Sequence, residues 1–319
     1  RGKEMMDKVS VDVVIPVYKP DKRFDTLIKR LKNQTYPVGQ IIIMNTERSY
    51  WKEETYSDVE NLQVYHVKKK EYNHGGTRNE GASHSQADII IFMTQDAVPA
   101  DEFLVERLLA GFSRLGSKKE TVSQVYARQL PEKDCRLIER LNREFNYPKE
   151  GCVKTKEDLE KLGIKTYFSS NVCCAYKRDI FVKQGGFCGK TIFNEDMIYA
   201  AGVIQAGYAI VYEAEARVIH SHNFSGRQQF SRNFDLAVSQ ADHPEVFEGL
   251  PSEGEGIRMV RTTAKILIKT GHGGQIPALI FGSGCKYLGY RLGKQYRTLP
   301  MWLVRRCTSS PDYWSTEGR

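Results

Sequence analysis

The chain has 319 residues, 40% apolar and 27% charged, with 47 Lys or Arg against 39 Asp or Glu and a net charge of +8. That composition is ordinary for a soluble protein and long enough for one large domain plus an appendage, and no run approaches the ~18 apolar residues a bilayer span needs. Seven scattered cysteines without a C-x-x-C pair exclude a zinc ribbon and a disulfide framework, leaving reduced thiols and a cytoplasmic setting as the expectation.

Val11 to Val17 is a short, β-branched apolar run that reads as a buried strand, with Pro16 directing the chain into Tyr18-Lys19-Pro20. Phe24, Leu27, Ile28 and Leu31 recur at helical spacing, predicting a helix that stops near Tyr36-Pro37. Ile41 to Met44 and Val64 to Val67 read as further buried strands, and 75–87 as a helix leading into the strand 88–93. Phe103 to Phe112 is helical. Short buried strands alternating with helices predict a mostly parallel α/β sheet covered on both faces, with ligands at the carboxyl ends of the strands.

From Val122 the alternation breaks. Segment 129–165 reads as helical, with Leu137, Ile138, Leu141 and Phe145 as its apolar face. Asn171 to Tyr176 follows as a strand, Phe181 to Gly186 as a helix end, then a helix opening at Asn194-Glu195-Asp196. Ala209 to Tyr212 and Arg217 to His222 read as two last strands. Between Gly256 and Ser310 stand ten Lys or Arg and no acid, interleaved with Ile, Leu, Tyr and Trp. A basic, amphipathic helical region of this kind suits an anionic membrane surface. Packing onto the rest of the chain, or onto a second copy in a homodimer, needs the same pattern. No nucleic-acid motif accompanies the charge, so nucleic acid is not an expected partner.

The chemistry-bearing residues fall in two groups. Asp96, at the end of a strand, offers an oxygen ligand to a hydrated Mg²⁺ or Mn²⁺; alone it reads better as a cap for the turn before Pro99. Glu195 and Asp196 open a helix, where the macrodipole favours acids. Neighbours on a helix project about 100° apart, so the two carboxylates cannot share one task. His220 and His222, two apart on an extended segment, face one side, and His222 lies nearer the loop.

The order V-V-I-P-V-Y, T-R-N-E-G-A, T-Q-D-A, S-N-V-C-C-A-Y, G-G-F and N-E-D with a trailing G-Y resembles glycosyltransferase family 2 over roughly residues 10–240. Within it, T-Q-D-A, H-S-H-x-x-S and Gln229 to Asp235 look most like bacterial rhamnosyltransferases of cell-surface polysaccharide synthesis. The resemblance implies a GT-A fold over 1–240, a helical C-terminal region over 241–319, and inverting transfer. The donor it implies is a nucleotide sugar, dTDP-rhamnose favoured, and the acceptor a saccharide on a polyprenyl diphosphate at the inner face of the membrane. Asp196 takes the place of the base, with Glu195 orienting. Asp96 and His222 take the metal; relatives carry Asp-x-Asp where this chain has Gln95-Asp96-Ala97. Pro16, Val17, Tyr18 and Asn45 fall at the nucleotide, Arg78 and Gln95 with Asp96 at its phosphates, and Asn171, Gly186 and Phe187 on the acceptor side. A uridine-diphosphate sugar as donor, and a binding module without turnover, are the alternatives.

Overall fold

The computed structural model describes residues 9–250 and 253–316. One nine-stranded sheet organises it, in the order β3-β2-β1-β4-β8-β6-β9-β5, with β7 pairing β9. The first half is β1 (Val11–Tyr18), α1 (Lys22–Lys32), β2 (Ile41–Thr46), β3 (Leu62–Val67), α2 (His74–Ser83), β4 (Ile89–Met93), β5 (Val98–Pro99) and α3 (Leu104–Gly111). Strands β3, β2, β1 and β4 run parallel. The second half is β6 (Val122–Leu130), α4 (Leu137–Asn146), β7 (Cys152–Lys154), α5 (Leu159–Leu162), β8 (Cys173–Lys177), α6 (Arg178–Lys183), α7 (Glu195–Gln205) and β9 (Ala209–Ile219). β8 is antiparallel to both β4 and β6, so it joins two parallel sets.

The strands read as continuous apolar runs because both faces are covered. Val13, Ile15 and Val17 of β1 enter one core with Phe24, Leu27 and Leu31 of α1 and Leu104 and Leu108 of α3. Val14, Met44, Ile90 and Phe92 point the other way, into a second core with Phe181, Tyr199 and Val203. Asp21 starts α1 by accepting from the backbone N–H of Arg23 (2.9 Å) and Phe24 (3.3 Å). That helix ends at Lys32, short of Tyr36-Pro37.

Two expectations change. Segment 129–165 is not one helix: β6 runs into it as far as Leu130, and only Leu137–Asn146 keeps the helical face. The two last strands are one, β9, in which Ala127 pairs Glu213 and the next residue, Arg128, pairs Arg217. This bulge lets a long strand bend and aim its end. His220 and His222 therefore lie just beyond the strand, on the exit that β9 aims.

The C-terminal part is helical: α8 (Gly226–Asp242), α9 (Pro244–Phe247), α10 (Glu253–Lys269), α11 (Ile276–Lys294), α12 (Met301–Cys307) and α13 (Tyr313–Thr316). The expected boundary at 240 falls in the last turn of α8, which packs along α11. Gly289 and Gly293, one turn apart on α11, meet the carbonyls of Phe230 and Phe234; a Cβ at either would collide with that backbone. No described helix is long and apolar enough to cross a membrane.

Candidate active site

A cleft of about 500 Å³ opens at the carboxyl ends of β1, β2 and β4. Pro16, Val17, Tyr18, Arg78 and Gln95 line it together, with Thr46, Lys69, His74 and Thr191. Gln95 is tied up at its edge: its Oε1 accepts from the Tyr18 N–H (2.6 Å) and its Nε2 donates to the Tyr18 carbonyl (3.1 Å). Gln95 thus pins the β1 loop to the β4 loop. Asn45 is fully buried and directed away, donating to the Glu47 carbonyl (3.0 Å) and meeting His66 Nδ1 (3.1 Å). Alternation along β2 puts Thr46 in the wall instead, its hydroxyl buried without a partner among the described residues.

Asp96 follows Gln95. Its Oδ2 lies 3.3 Å from His222 Nε2 and 3.6 Å from His220 Nε2, and the two Nε2 atoms are 3.1 Å apart. Ligand atoms each about 2.1 Å from one divalent cation stand about 3.0–3.4 Å apart; two of the three separations fall in that range, and the third, 3.6 Å, would close by a small turn of one side chain onto a shared cation. The supporting shell fits too. Gln129 Nε2 donates to Tyr147 (2.6 Å) and Ser170 (3.0 Å), which turns its Oε1 toward Arg143 and His220 Nδ1 (3.0 Å). A carbonyl oxygen can only accept, so His220 carries a proton on Nδ1, and its Nε2 is the nitrogen that faces Asp96. Burial, then the neighbouring His220, pushes His222 down to about 4 and keeps its ring neutral at pH 7. Burial works against the Asp96 charge, but His220 and His222 outweigh it and hold the carboxyl well below its usual range.

The second carboxylate group opens α7. Asn194, in the left-handed region at φ 63°, turns the chain into the helix. Glu195 is buried against Arg78 (3.3 Å) and Asn171 Nδ2 (3.2 Å), while Tyr176 donates to Asn171 Oδ1 (2.7 Å). Burial opposes its charge, yet Arg78 above all keeps the carboxyl below the ordinary range. Asp196 differs. It accepts from the backbone N–H of Asn171 (3.1 Å) and of Met197 (2.9 Å) and has no cation paired with it among the described residues. Burial, then the charge of Glu195, pushes it up to about 7. Adjacent carboxylates pushed in opposite directions suit an ionic support and a proton acceptor working near neutrality.

Three expected residues take other positions. Phe187 does not face an acceptor: it is buried among Phe92, Tyr176, Phe181 and Tyr199, because its backbone N–H and carbonyl are both held by Asn79 at 2.8 Å. Asn171 is likewise buried, serving the two carboxylates. Arg78 reaches the cleft wall, but its guanidinium is bound to Glu195 and to the His74 carbonyl (3.0 Å). Gly186 sits at φ 70° beside Asn79, as the turn before Phe187 requires.

A nucleotide-sized cleft beside a metal-competent cluster, with a poised carboxylate at the start of α7, is the framework of a sugar-transfer enzyme. The family model for glycosyl transferase family 2 matches residues 12–185. The chain belongs to this family. Its relatives extend along nearly the whole length. The O-antigen chain rhamnosyltransferase RfbN of Salmonella typhimurium is 38% identical over 314 residues, 96% of each chain. WbaN of Salmonella anatum, also an O-antigen chain rhamnosyltransferase, is 37% identical over 311 residues, 96% of each. Among solved structures, the mannosyltransferase PcManGT from Pyrobaculum calidifontis, in complex with GDP-Man and Mn2+, matches with a TM-score of 0.58 at 14% identity. That match covers 98% of this chain and 89% of the other and establishes the shared GT-A-type fold.

In this glycosyltransferase the candidate site residues that sequence reasoning missed are Gln129 and, as an equal to His222 in the cluster, His220. Gln129 carries no motif; only the pairing of β6 with β9 brings it to His220. The same pairing equalises the two histidines.

Proposed function

We propose that the enzyme transfers L-rhamnose from dTDP-β-L-rhamnose to a saccharide acceptor, with inversion, during cell-surface polysaccharide synthesis. The relatives' activity supports the sugar. The observation that carries the mechanism is the pair of differently tuned acids, Glu195 fixed by Arg78 and Asp196 free to take a proton. The cleft holds the nucleotide, with the Thr46 hydroxyl available to it. Asp96, His220 and His222 would hold a divalent cation, and two imidazoles beside one carboxylate favour Mn²⁺ over Mg²⁺. Such a cation supplies positive charge to the departing diphosphate. Asp196 accepts the acceptor hydroxyl's proton as that oxygen attacks the anomeric carbon, and Glu195 keeps α7 and Asn171 in register around it. One displacement turns a β-linked donor into an α-linked product.

The acceptor in this reading is carried on a polyprenyl diphosphate, and the enzyme sits on the inner face of the membrane. Ile268, Ile280, Phe281, Tyr287, Leu288 and Trp302 are exposed on α10, α11 and α12, interspersed with exposed Lys265, Lys269, Arg291, Arg305 and Arg306. A second copy of the chain is the other occupant of that surface.

The test is donor turnover by the purified protein with dTDP-β-L-rhamnose and with uridine-diphosphate sugars, with Mn²⁺ and then with chelator. Metal-dependent turnover of the thymidine donor and an α-linked product by NMR are expected. Preference for a uridine sugar replaces the donor, and a β-linked product overturns the single displacement.

A further inference from the structure

The leaving diphosphate carries more negative charge than one divalent cation offsets, so a cation from the chain is needed at the cleft. Four cations around it are Arg78, Arg143, Lys69 and Arg232, and the first three have polar partners. Arg78 is bound to Glu195, Arg143 donates to Gln129, and Lys69 pairs with Asp312 at 2.9 Å.

Arg232, on α8, is the fourth. No carboxylate lies within ion-pair distance of it and no hydrogen-bond acceptor holds it among the described residues. The acid one turn along, Asp235, is occupied by Thr308 (2.5 Å) and by the Ser309 N–H (2.8 Å). What Arg232 touches is aromatic: its guanidinium stands 4.8 Å from the Phe224 ring centre and 5.3 Å from that of Phe193. Both rings belong to the site. Phe224 stacks on His222, with centres 4.9 Å apart. Phe193 follows Thr191 and Ile192 of the cleft wall, and its carbonyl accepts from Thr191 at 2.6 Å. The side chain keeps a solvent-open surface, yet enough protein surrounds it that burial lowers its pKa, while the charges of Asp235 and then of Asp96 reach it and act the other way. Arg232 thus stands beside the Asp96–His222 cluster and the end of the Thr191–Ile192 wall, held by two ring faces and with its N–H groups unspent.

We propose that Arg232 is the side chain that binds the diphosphate of the nucleotide sugar and neutralises it as the sugar departs. The inference rests on the glycosyl-transfer reading given above. As the acceptor oxygen bonds to the anomeric carbon, the bond from that carbon to the diphosphate oxygen breaks and its electron pair stays on the diphosphate. The hydroxyl proton goes to Asp196. Arg232 stays protonated throughout and donates to the oxygens that gain charge, so its hydrogen bonds strengthen as the bond breaks.

The experiment compares wild type, Arg232→Ala and Arg232→Lys by calorimetry with dTDP, dTMP, UDP and UMP in Mn²⁺, alongside donor kinetics and thermal melts. Arg232→Ala should weaken the diphosphate that wild type binds by about 10- to 100-fold, leave the matching monophosphate within a few-fold, and lower kcat. Arg232→Lys should recover part of both. Equal affinity of Arg232→Ala and wild type for the diphosphate overturns the proposal while leaving glycosyl transfer standing. Equal loss of mono- and diphosphate binding with a lowered melting temperature overturns it as well, in favour of a structural role. Wild type that binds no nucleoside diphosphate sinks the underlying reading together with it.

Discussion

The clearest functional signal at the scale of single residues is that Asp196 and Glu195 share a helix turn but not a charge state. A base must be deprotonated, so kcat/KM should rise with pH and level off above about 7, the value to which burial and Glu195 push Asp196. Asp196→Asn should lower kcat about 10²- to 10⁴-fold with donor binding kept. Stability moves the other way. The unfolded carboxyl loses its proton near 3.8 and the folded one only near 7, so the folded state holds the extra proton between those values. Its stability therefore falls as pH rises through that window. Asp196→Asn removes the penalty, and above pH 7 it should melt higher than wild type, by on the order of 1–4 kcal/mol; the gap should close as pH approaches 4. A variant that loses activity and also melts lower at pH 8 would make Asp196 structural. Gln129 gives a second prediction. Gln129→Leu frees the His220 ring, and Mn²⁺ affinity should drop about 10- to 100-fold in a metal titration, with nucleotide affinity in chelator unchanged.

At the scale of elements, legibility followed sequence distance. β1, β2, β4 and the opening of α7 were readable because their signals are local: apolar runs, a proline, an acid pair after Asn194. Asp96 and His222 were readable because both lie at strand exits. β6 was not, since Ser123, Gln124, Arg128 and Gln129 interrupt its apolar run; Ser123, Gln124 and Gln129 are buried there by bonding to a carbonyl and to other side chains. Arg78 and Phe187 were assigned to ligands because nothing near them in sequence announces Glu195 or Asn79, which the fold brings against them. The α8–α11 contact rests on similarly silent residues. Gly289 and Gly293 let the α11 backbone touch the carbonyls of Phe230 and Phe234. Gly289→Leu should force the helices apart, lower the melting temperature by several degrees and weaken donor binding, since α8 carries Arg232. An unchanged melt would show that the two helices slide without loss.

The molecule as a whole joins a catalytic sheet to a cationic, partly apolar helical face. If that face meets lipid, the protein should float with vesicles containing phosphatidylglycerol and not with neutral phosphatidylcholine vesicles, and less so as salt rises. Ile268→Glu with Trp302→Glu should abolish flotation and leave turnover of a soluble acceptor intact. A change of oligomeric state in the double variant, without any flotation by wild type, assigns the face to a second copy of the chain instead.

The ion pair between Lys69 and Asp312 has a consequence of its own. It crosses the rim of the cleft, from the loop after β3 to the segment Ser309–Tyr313 that walls the nucleotide. Both side chains are more than half exposed, so the tie is weak and screened by ordinary electrolytes. A clasp that weakens as salt rises makes the residence time of spent nucleotide depend on the medium. Raising NaCl should shorten that residence, read as faster dissociation of a fluorescent nucleoside diphosphate, and Lys69→Met should already show the fast rate at low salt. The segment after α12 would then set the tempo of the enzyme.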